Sequence, residues 1–299
     1  MKVVELSGGV GGARLARGLD ALPDIDLTVV VNVGDDERFH GLLVSADIDT
    51  VLYTLAGIEG PEGWGRRDDT FAFNDELARY GVDNRFRIGD RDLALIVTRT
   101  ARLAAGESLS KITADLARAL GVRATVLPAT DDTLRTEVRL DSGWTSFQDY
   151  FVIRRNRDEV REVAYRGAED ARPAPGVIES IEAADLVVIG PSNPPLSVWP
   201  ILAVPGVRDA LASHQRVVAV SPLFQGKALK GPADRVMATL GLPQGNRGVA
   251  RAYEGLIDIL VVDAGDARDE IDGIRLVATD TRISDPEAAA RFARELVGL

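Results

Sequence analysis

The order of apolar and polar positions at the start of the chain predicts a β-α-β unit. Residues 3–6 are apolar and suit a short strand, and a helix with Leu15 and Leu19 on one face is predicted from about residue 13 to 22. Residues 27–33 are β-branched and almost uninterrupted, which is typical of a strand buried on both faces of a parallel sheet. A glycine-rich segment separates the first predicted strand from the helix.

The C-terminal half continues this pattern. Four short apolar runs each lead into polar loops with glycine or proline, at 185–190, 216–221, 257–263 and 274–278. A last helix is predicted over 286–296, with Asp285 or Ser284 as its N-cap. The sequence therefore predicts an α/β fold with a Rossmann-like, mostly parallel sheet flanked by helices.

The middle of the chain has a different pattern. Helical periodicity occurs at 75–80, 93–105 and 109–120, and two alternating segments at 137–140 and 147–154 predict a small antiparallel region. We interpret residues from approximately 60 to 175 as an inserted helical and antiparallel region within one domain that covers residues 1–299.

Composition narrows the possible functions. With no cysteine and only His40 and His214, a metal would be held mainly by oxygen ligands, which favours Mg²⁺, Mn²⁺ or Ca²⁺ over zinc. The net charge of −11 argues against a nucleic-acid partner. No apolar run reaches the roughly 20 residues that span a bilayer, so we expect no membrane partner and a cytoplasmic location.

A glycine-rich turn lies between the first strand and the first helix, where backbone N–H groups and the helix dipole favour a phosphate. The candidate phosphate-binding residues are Ser7, Gly8, Gly9, Gly11 and Gly12. The segment is not a Walker A loop, and Arg14 stands where a dinucleotide fingerprint would have a third glycine or alanine. A tight turn without a ligand is the alternative.

Aspartates follow the second strand, at the sheet edge where ligands of parallel α/β proteins bind. They are Asp35 and Asp36, followed by Asp47 and Asp49 just before a predicted helix. A hard cation there would orient an anionic substrate between carboxylates. Alternatively, Asp47 or Asp49 caps the helix; we expect one of the two to do so and the other to point inward.

Three further segments could bind an anion. Arg87 and Arg91 flank the Gly-Asp pair at 89–90, in a segment where Asp92 could instead be a solvated helix cap. The loops after two C-terminal strands contribute Ser192 and Asn193, and then Lys227 or Lys230.

These segments, in this order, resemble the 2-phospho-L-lactate transferase family of coenzyme F420 biosynthesis. The resemblance spans nearly the whole chain and rests on residues 6–13, 31–36, 47–53, 89–94, 190–194 and 230–233. It implies that a phospholactyl or phosphoenolpyruvyl group moves from its guanosine diphosphate ester to the deazaflavin Fo. The products would be F420-0 or dehydro-F420-0 and GMP, with a Mg²⁺ requirement and a homodimer.

The resemblance also implies roles for individual residues. The glycine-rich segment, Ser192 and Asn193 would contact the donor, and we assign Lys230 to the same site. Asp49 and Arg87 would lie near Fo, where we also place Arg91. Asp35 and Asp49 are the candidate metal ligands and catalytic residues, and which one would accept a proton stays open.

Two rivals remain. One is a nucleotide-sugar-binding regulator of the related gluconeogenesis-factor type, against which the segments at 47–53 and 89–94 weigh. The other is a Rossmann dehydrogenase in which Asp35 would hold a ribose. The acyl group of the donor (phospholactate, phosphoenolpyruvate or phosphoglycerate) is open as well.

Overall fold

The computed structural model describes residues 1–229, 231–267 and 271–299. Its N-terminal part confirms the predicted β-α-β opening within a few residues at each boundary. The elements of the first half are β1 Lys2–Ser7, α1 Gly9–Asp20, β2 Asp26–Val31, β3 Glu37–Phe39, β4 Leu42–Val44, α2 Ala46–Leu55, α3 Ala72–Arg79, α4 Asp90–Ala104, α5 Leu109–Ala119, β5 Thr125–Pro128, β6 Arg135–Leu140 and β7 Gly143–Ser146.

The second half contains the predicted strands and the predicted last helix, which Asp285 caps. Its elements are β8 Glu162–Arg166, α6 Val177–Glu182, β9 Leu186–Ile189, α7 Trp199–Leu202, α8 Val207–Ala212, β10 Val217–Val220, β11 Leu223–Phe224, β12 Lys227–Ala228, α9 Ala233–Thr239, α10 Asn246–Ala252, β13 Ile259–Asp263, β14 Arg275–Thr279 and α11 Pro286–Val297. Within the described residues, no helix is long and apolar enough to cross a membrane.

Seven parallel strands form the central sheet, in the order β14-β13-β10-β9-β1-β2-β5. All residues of β9 and β10 are buried, as expected for strands covered on both faces. Helix α1 packs against α2 and α11, and α6 packs against α8. The α/β fold with a Rossmann-like sheet is therefore confirmed.

The direction of strand addition reverses between β1 and β9. From β1 the chain moves to β2, and from β9 it moves the other way to β10. Right-handed crossovers then place α1 and α8 on opposite faces, which leaves a crevice where the carboxyl ends of β1 and β9 meet.

The middle of the chain is not one separate layer. The range that we expected to be inserted contains β5, which pairs with β2 as the edge strand of the central sheet. On one side of β5 in sequence lie helices α3, α4 and α5, and on the other lies an antiparallel sheet in the order β7-β6-β8.

One element was predicted wrongly. The alternating segment at 147–154 is not a strand but contains a π-helical turn, Asp149–Ile153. Phe147 and Phe151 stack with ring centroids 5.2 Å apart, and Arg154 binds Asp149 at 2.7 Å. Both contacts join residues four or five positions apart, which lie on the same side of a helical turn but not of a strand. The turn also buries Tyr150 in a satellite core with β6.

Candidate functional site

The glycine-rich turn lies at the crevice between β1 and β9. Gly8 is extended and Gly9 has φ of +65°, a conformation that favours glycine. Helix α1 already begins at Gly9, so the predicted loop over residues 7–12 is shorter than expected. Gly11 and Gly12 belong to the first helical turn.

Both of these helical glycines permit close packing. A Cβ on Gly11 would lie 2.3 Å from the carbonyl oxygen of Pro191, and one on Gly12 would lie 2.3 Å from Oγ of Ser7. Any side chain would push α1 away from β1 and from the loop after β9. Their absence of a side chain therefore sets the position of the α1 N-terminus.

Ser192 joins the loops that follow β1 and β9. Its hydroxyl donates to the carbonyl oxygen of Gly8 at 2.8 Å and accepts from the Gly8 N–H at 3.3 Å. Asn193 has a local role, since its Oδ1 accepts from the N–H of Leu196 at 3.3 Å and caps the next helical turn. The two predicted donor-binding segments are thus adjacent.

Asp47 connects the glycine-rich turn to the end of β2. One carboxylate oxygen accepts from the N–H of Gly9 at 2.8 Å, and the other accepts from Nδ2 of Asn32 at 2.9 Å. Asn32 in turn accepts from the N–H of Gly34 at 2.8 Å. This linking role of Asp47 and Asn32 was not predicted from the sequence.

Neither Asp47 nor Asp49 caps α2, so the expected cap was wrong. Ser45 is the N-cap residue, and its hydroxyl is directed instead to Oδ2 of Asp36 at 2.8 Å. Both aspartates lie within the first helical turn and point into the protein, where Asp47 is 6% and Asp49 is 5% exposed.

Asp49 forms a bidentate ion pair with Arg99 of α4. Nη1 of Arg99 donates to Oδ2 of Asp49 at 3.0 Å, and Nη2 donates to Oδ1. The Arg99 side chain is fully buried. Sequence reasoning missed Arg99, although it follows Leu95 and Ile96 at helical spacing on the buried face of α4, where a charged residue signals a buried partner.

Asp35, like Asp36, has an Oδ1 that is buried without a hydrogen-bond partner. Burial, together with the charge of Asp47, raises the pKa of Asp35 well above its ordinary value. Burial also raises the pKa of Asp36 to about 8 and that of Asp47 to about 6. We name Asp35, Asp36, Asp47 and Asp49 the acid cluster.

The acid cluster offers oxygen ligands to a hard cation, and the unpartnered Oδ1 atoms of Asp35 and Asp36 are the best placed of them. Asp49 already binds Arg99 through both oxygens, and Asp47 binds Gly9 and Asn32. Among the described residues, no three acidic or histidine side chains are arranged to hold a metal by themselves. Mg²⁺ commonly needs only one or two carboxylates together with substrate phosphates, so Asp35 fits this mode of binding.

Arg87 and Arg91 lie on the exposed side of α4 and its preceding loop. Arg87 is 3.6 Å from a carboxylate oxygen of Asp75, and its guanidinium is 4.4 Å from the centroid of the Phe71 ring. Arg91 contributes its N–H to Asp69 at 2.8 Å. The structure gives neither arginine a contact with Asp49.

The suggested helix cap at Asp92 was also wrong. Gly89 is the N-cap of α4, and the Asp69 carboxylate accepts from the N–H groups of Arg91 and Asp92 at 2.8 and 3.1 Å. The Asp92 carboxylate points inward instead and accepts from the hydroxyl of Tyr53 at 2.5 Å. Lys230, the remaining predicted donor contact, lies outside the described residues.

A buried acid lies beneath the glycine-rich turn. Glu5 on β1 is 0% exposed and neither carboxylate oxygen has a hydrogen-bond partner. Its Oε1 would be 2.7 Å from a Cβ at Gly190, so Gly190 makes room for it. Burial raises the pKa of Glu5 well above its ordinary value, which favours the neutral acid.

The fold and this site define a doubly wound α/β protein with its ligand crevice at the carboxyl ends of β1 and β9. Comparison with known proteins then identifies the family. Residues 3–291 match the model of the family described as 2-phospho-L-lactate transferase CofD. The chain belongs to this transferase family.

Individual relatives agree over their full lengths. The phosphoenolpyruvate transferase of Streptomyces griseus is 43% identical, with 100% of this chain and 98% of the relative covered. The 2-phospho-L-lactate transferase of Methanopyrus kandleri is 40% identical, with 99% and 97% covered. Protein BH3568 of Bacillus halodurans superimposes with a TM-score of 0.66 at 18% identity, covering 99% of this chain and 98% of that one, and this likeness shows the fold alone.

Proposed function

We propose that the protein transfers a phospholactyl or phosphoenolpyruvyl group from its guanosine diphosphate ester to the deazaflavin Fo. The products are then F420-0 or dehydro-F420-0 and GMP. The observation that carries this proposal is the adjacency of the glycine-rich turn and the acid cluster, which Asp47 joins directly through the N–H of Gly9. Such an arrangement suits the diphosphate of the donor, held between backbone N–H groups and carboxylates that need a cation.

The donor phosphates bind at the N-terminus of α1 in this proposal. A helix leaves its first N–H groups without intrahelical partners, and its dipole favours an anion there. The N–H groups of Gly8 and Gly9 already serve Ser192 and Asp47. The N–H groups of Val10 and Gly11 therefore remain to meet a phosphate, with Ser192 and Asn193 bordering the crevice.

Mg²⁺ is the cofactor that the acid cluster fits. Asp35 would hold it, and Asp49 could join only by sharing a carboxylate oxygen with Arg99. When bound, the ion would neutralise charge on the donor phosphates and on the buried carboxylates. The raised pKa values of Asp35, Asp36 and Asp47 support this proposal, since each reflects above all a carboxylate buried away from water, where a bound cation would favour the charged form.

The reaction is an in-line displacement at the phosphorus that carries the lactyl or enolpyruvyl oxygen. A hydroxyl oxygen of Fo forms the new bond to phosphorus, the bond to the bridging oxygen breaks, and GMP leaves with the electron pair. The hydroxyl proton passes to a carboxylate, for which Asp35 and Asp49 are the candidates. Orientation of the two substrates and electrostatic stabilisation supply most of the rate enhancement.

We propose that the acceptor site lies toward Asp49, with Arg87 and Arg91 approaching Fo from the N-terminal end of α4.

We further propose that the protein is a homodimer and acts on these small molecules in the cytoplasm. Size-exclusion chromatography with light scattering would test the oligomeric state.

The decisive experiment is mass spectrometry of the product formed from Fo and each guanylylated donor: phospholactate, phosphoenolpyruvate and phosphoglycerate. We expect one donor to give a product mass equal to Fo plus its phospho-acid minus one water, with stoichiometric GMP. Absence of product with all three donors, together with tight binding of a uridine diphosphate sugar, would contradict the transferase and support the nucleotide-sugar-binding regulator. Tight binding of NAD alone would support the dehydrogenase.

A further inference from the structure

Two buried contacts connect α2 to α4. Arg99 binds Asp49 through both terminal nitrogens, and the hydroxyl of Tyr53 donates to Oδ1 of Asp92 at 2.5 Å. Asp49 and Tyr53 are one turn apart on α2, whereas Asp92 and Arg99 are about two turns apart on α4. The two contacts together form what we call the α2–α4 clamp.

Burial determines what the clamp contributes. Arg99 and Tyr53 are each 0% exposed. A buried ion pair returns little net stability, because desolvation of both charges opposes their attraction. A planar guanidinium that binds both oxygens of one carboxylate does, however, fix the orientation of that carboxylate. Orientation is therefore the main contribution of Arg99.

The clamp connects two parts of the site. At one end, Asp49 belongs to the acid cluster. At the other end, Asp92 directly follows Arg91 in the first turn of α4, which Gly89 begins. Of the described basic side chains, Arg99 is the one that hydrogen-bonds to the acid cluster. The position of the first turn of α4 relative to the acid cluster thus depends on these two contacts.

We propose that Arg99 is a positioning residue for the transfer: it orients the Asp49 carboxylate and holds the first turn of α4 against the acid cluster. The inference rests on the proposed function in one respect, namely that the acceptor binds between these two parts. Arg99 itself is too deeply buried to touch a substrate.

Kinetics provide the first test. Arg99→Gln should raise the KM for Fo and lower kcat by 10-fold or more, while GDP affinity stays within twofold of wild type. Arg99→Lys should recover part of the loss, because an ammonium keeps the charge without the two-pronged geometry. The matched control is Arg102→Gln, which removes an arginine one turn further along α4 whose partners are Glu107 and Asp115 near the surface; it should leave both constants unchanged.

A second measurement works without any substrate. In the ligand-free protein, hydrogen–deuterium exchange of a peptide covering residues 88–96 should be faster in Arg99→Gln and in Tyr53→Phe than in wild type, and unchanged in Arg102→Gln. If Arg99→Gln unfolds, the double variant Arg99→Gln/Asp49→Asn removes both charges and should fold, while still showing the faster exchange.

The outcomes separate the two proposals. Wild-type exchange at residues 88–96 in the folded variants would overturn the positioning role, as would a variant with a lower melting temperature but wild-type constants. Absence of transfer by the wild-type protein would contradict the proposed function alone, because the exchange comparison would still decide the role of Arg99.

Discussion

Asp35 and Asp49 are buried to the same extent, 5% exposed each, but their carboxylates have different surroundings. Asp35 has an unpartnered Oδ1, and Asp49 is bound by the guanidinium of Arg99. From sequence alone, both residues are candidate metal ligands and proton acceptors, and nothing distinguishes them. Because of these different contacts, we expect the replacement of Asp35 and the replacement of Asp49 to change the free energy of unfolding by different amounts.

Asp35→Asn should therefore separate activity from stability. Removal of a buried carboxylate with one unpartnered oxygen leaves the free energy of unfolding within about 1 kcal/mol of wild type, or raises it. Loss of a metal ligand or proton acceptor should lower kcat by roughly 10²-fold or more. Melting temperature and kcat measured on the same variant check this, and a destabilised but fully active variant would contradict it.

Asp49→Asn should lower both kcat and the free energy of unfolding. The substitution leaves the buried guanidinium of Arg99 without its carboxylate, which typically costs about 3–5 kcal/mol. Urea denaturation of wild type and variant measures the difference. A variant as stable as wild type would show that the ion pair does not persist in solution.

The limits of sequence reasoning at this scale come from distance along the chain. Asp49 and Arg99 are 50 positions apart, and Gly8 and Ser192 are 184 apart. The first strand and helix were predictable because apolar periodicity is local, and the carboxyl-edge rule correctly grouped the glycine-rich turn with the loop after β9. Local pattern predicted the helix that contains Arg99, but it could not predict that this helix supplies the counter-ion of Asp49.

At the scale of elements, the N-terminus of α1 depends on its glycines for packing. Gly11→Ala would bring Cβ against the Pro191 carbonyl oxygen, a backbone atom that cannot rotate away. We expect a lower melting temperature and weaker GDP binding, since the N-terminus of α1 and the loop after β9 must both shift. The control is Gly298→Ala, whose Cβ would meet its nearest neighbour at an ordinary 3.4 Å. Wild-type GDP affinity in a folded Gly11→Ala variant would exclude this part of α1 from the donor site.

The acid cluster should also make stability depend on pH. Burial raises the pKa of Asp36 to about 8 and that of Asp47 to about 6, from about 4 in an unfolded chain. The folded state therefore holds more protons than the unfolded state between these values. The stability contributed by the neutral acids is complete below about pH 4 and is lost as the pH rises through about 6 and then about 8.

Melting temperatures of the metal-free protein from pH 5 to 9 test this dependence. We expect the melting temperature to fall between pH 6 and 8. This fall should be shallower in Asp36→Asn, because that variant has no carboxyl group at residue 36 that loses a proton when the protein unfolds. Thr98→Ala, at an exposed position of α4, should retain the wild-type slope. A slope unaffected by Asp36→Asn would assign the pH dependence to other groups.

At the scale of the whole molecule, strand order determines where the chemistry occurs. The reversal between β1 and β9 brings together loops from opposite ends of the chain, and α2 and α4 add the acid cluster and its counter-ion. The fold class followed from the sequence because buried parallel strands leave a strong apolar pattern. The division of the middle region did not, since β5 is a short strand of four residues within a largely helical and antiparallel stretch.

The same architecture leads to a prediction about metal dependence. The molecule carries a formal charge of −11, and Asp35, Asp36 and Asp47 are buried where carboxylates are costly. An anionic donor entering this field requires a cation, so EDTA should abolish transfer and Mg²⁺ or Mn²⁺ should restore it. Mg²⁺ should also raise the melting temperature more at pH 8 than at pH 6, because more of the carboxylates are ionised there. Full turnover in metal-free buffer, or an equal Mg²⁺ shift at both pH values, would show that the acid cluster does not hold the ion.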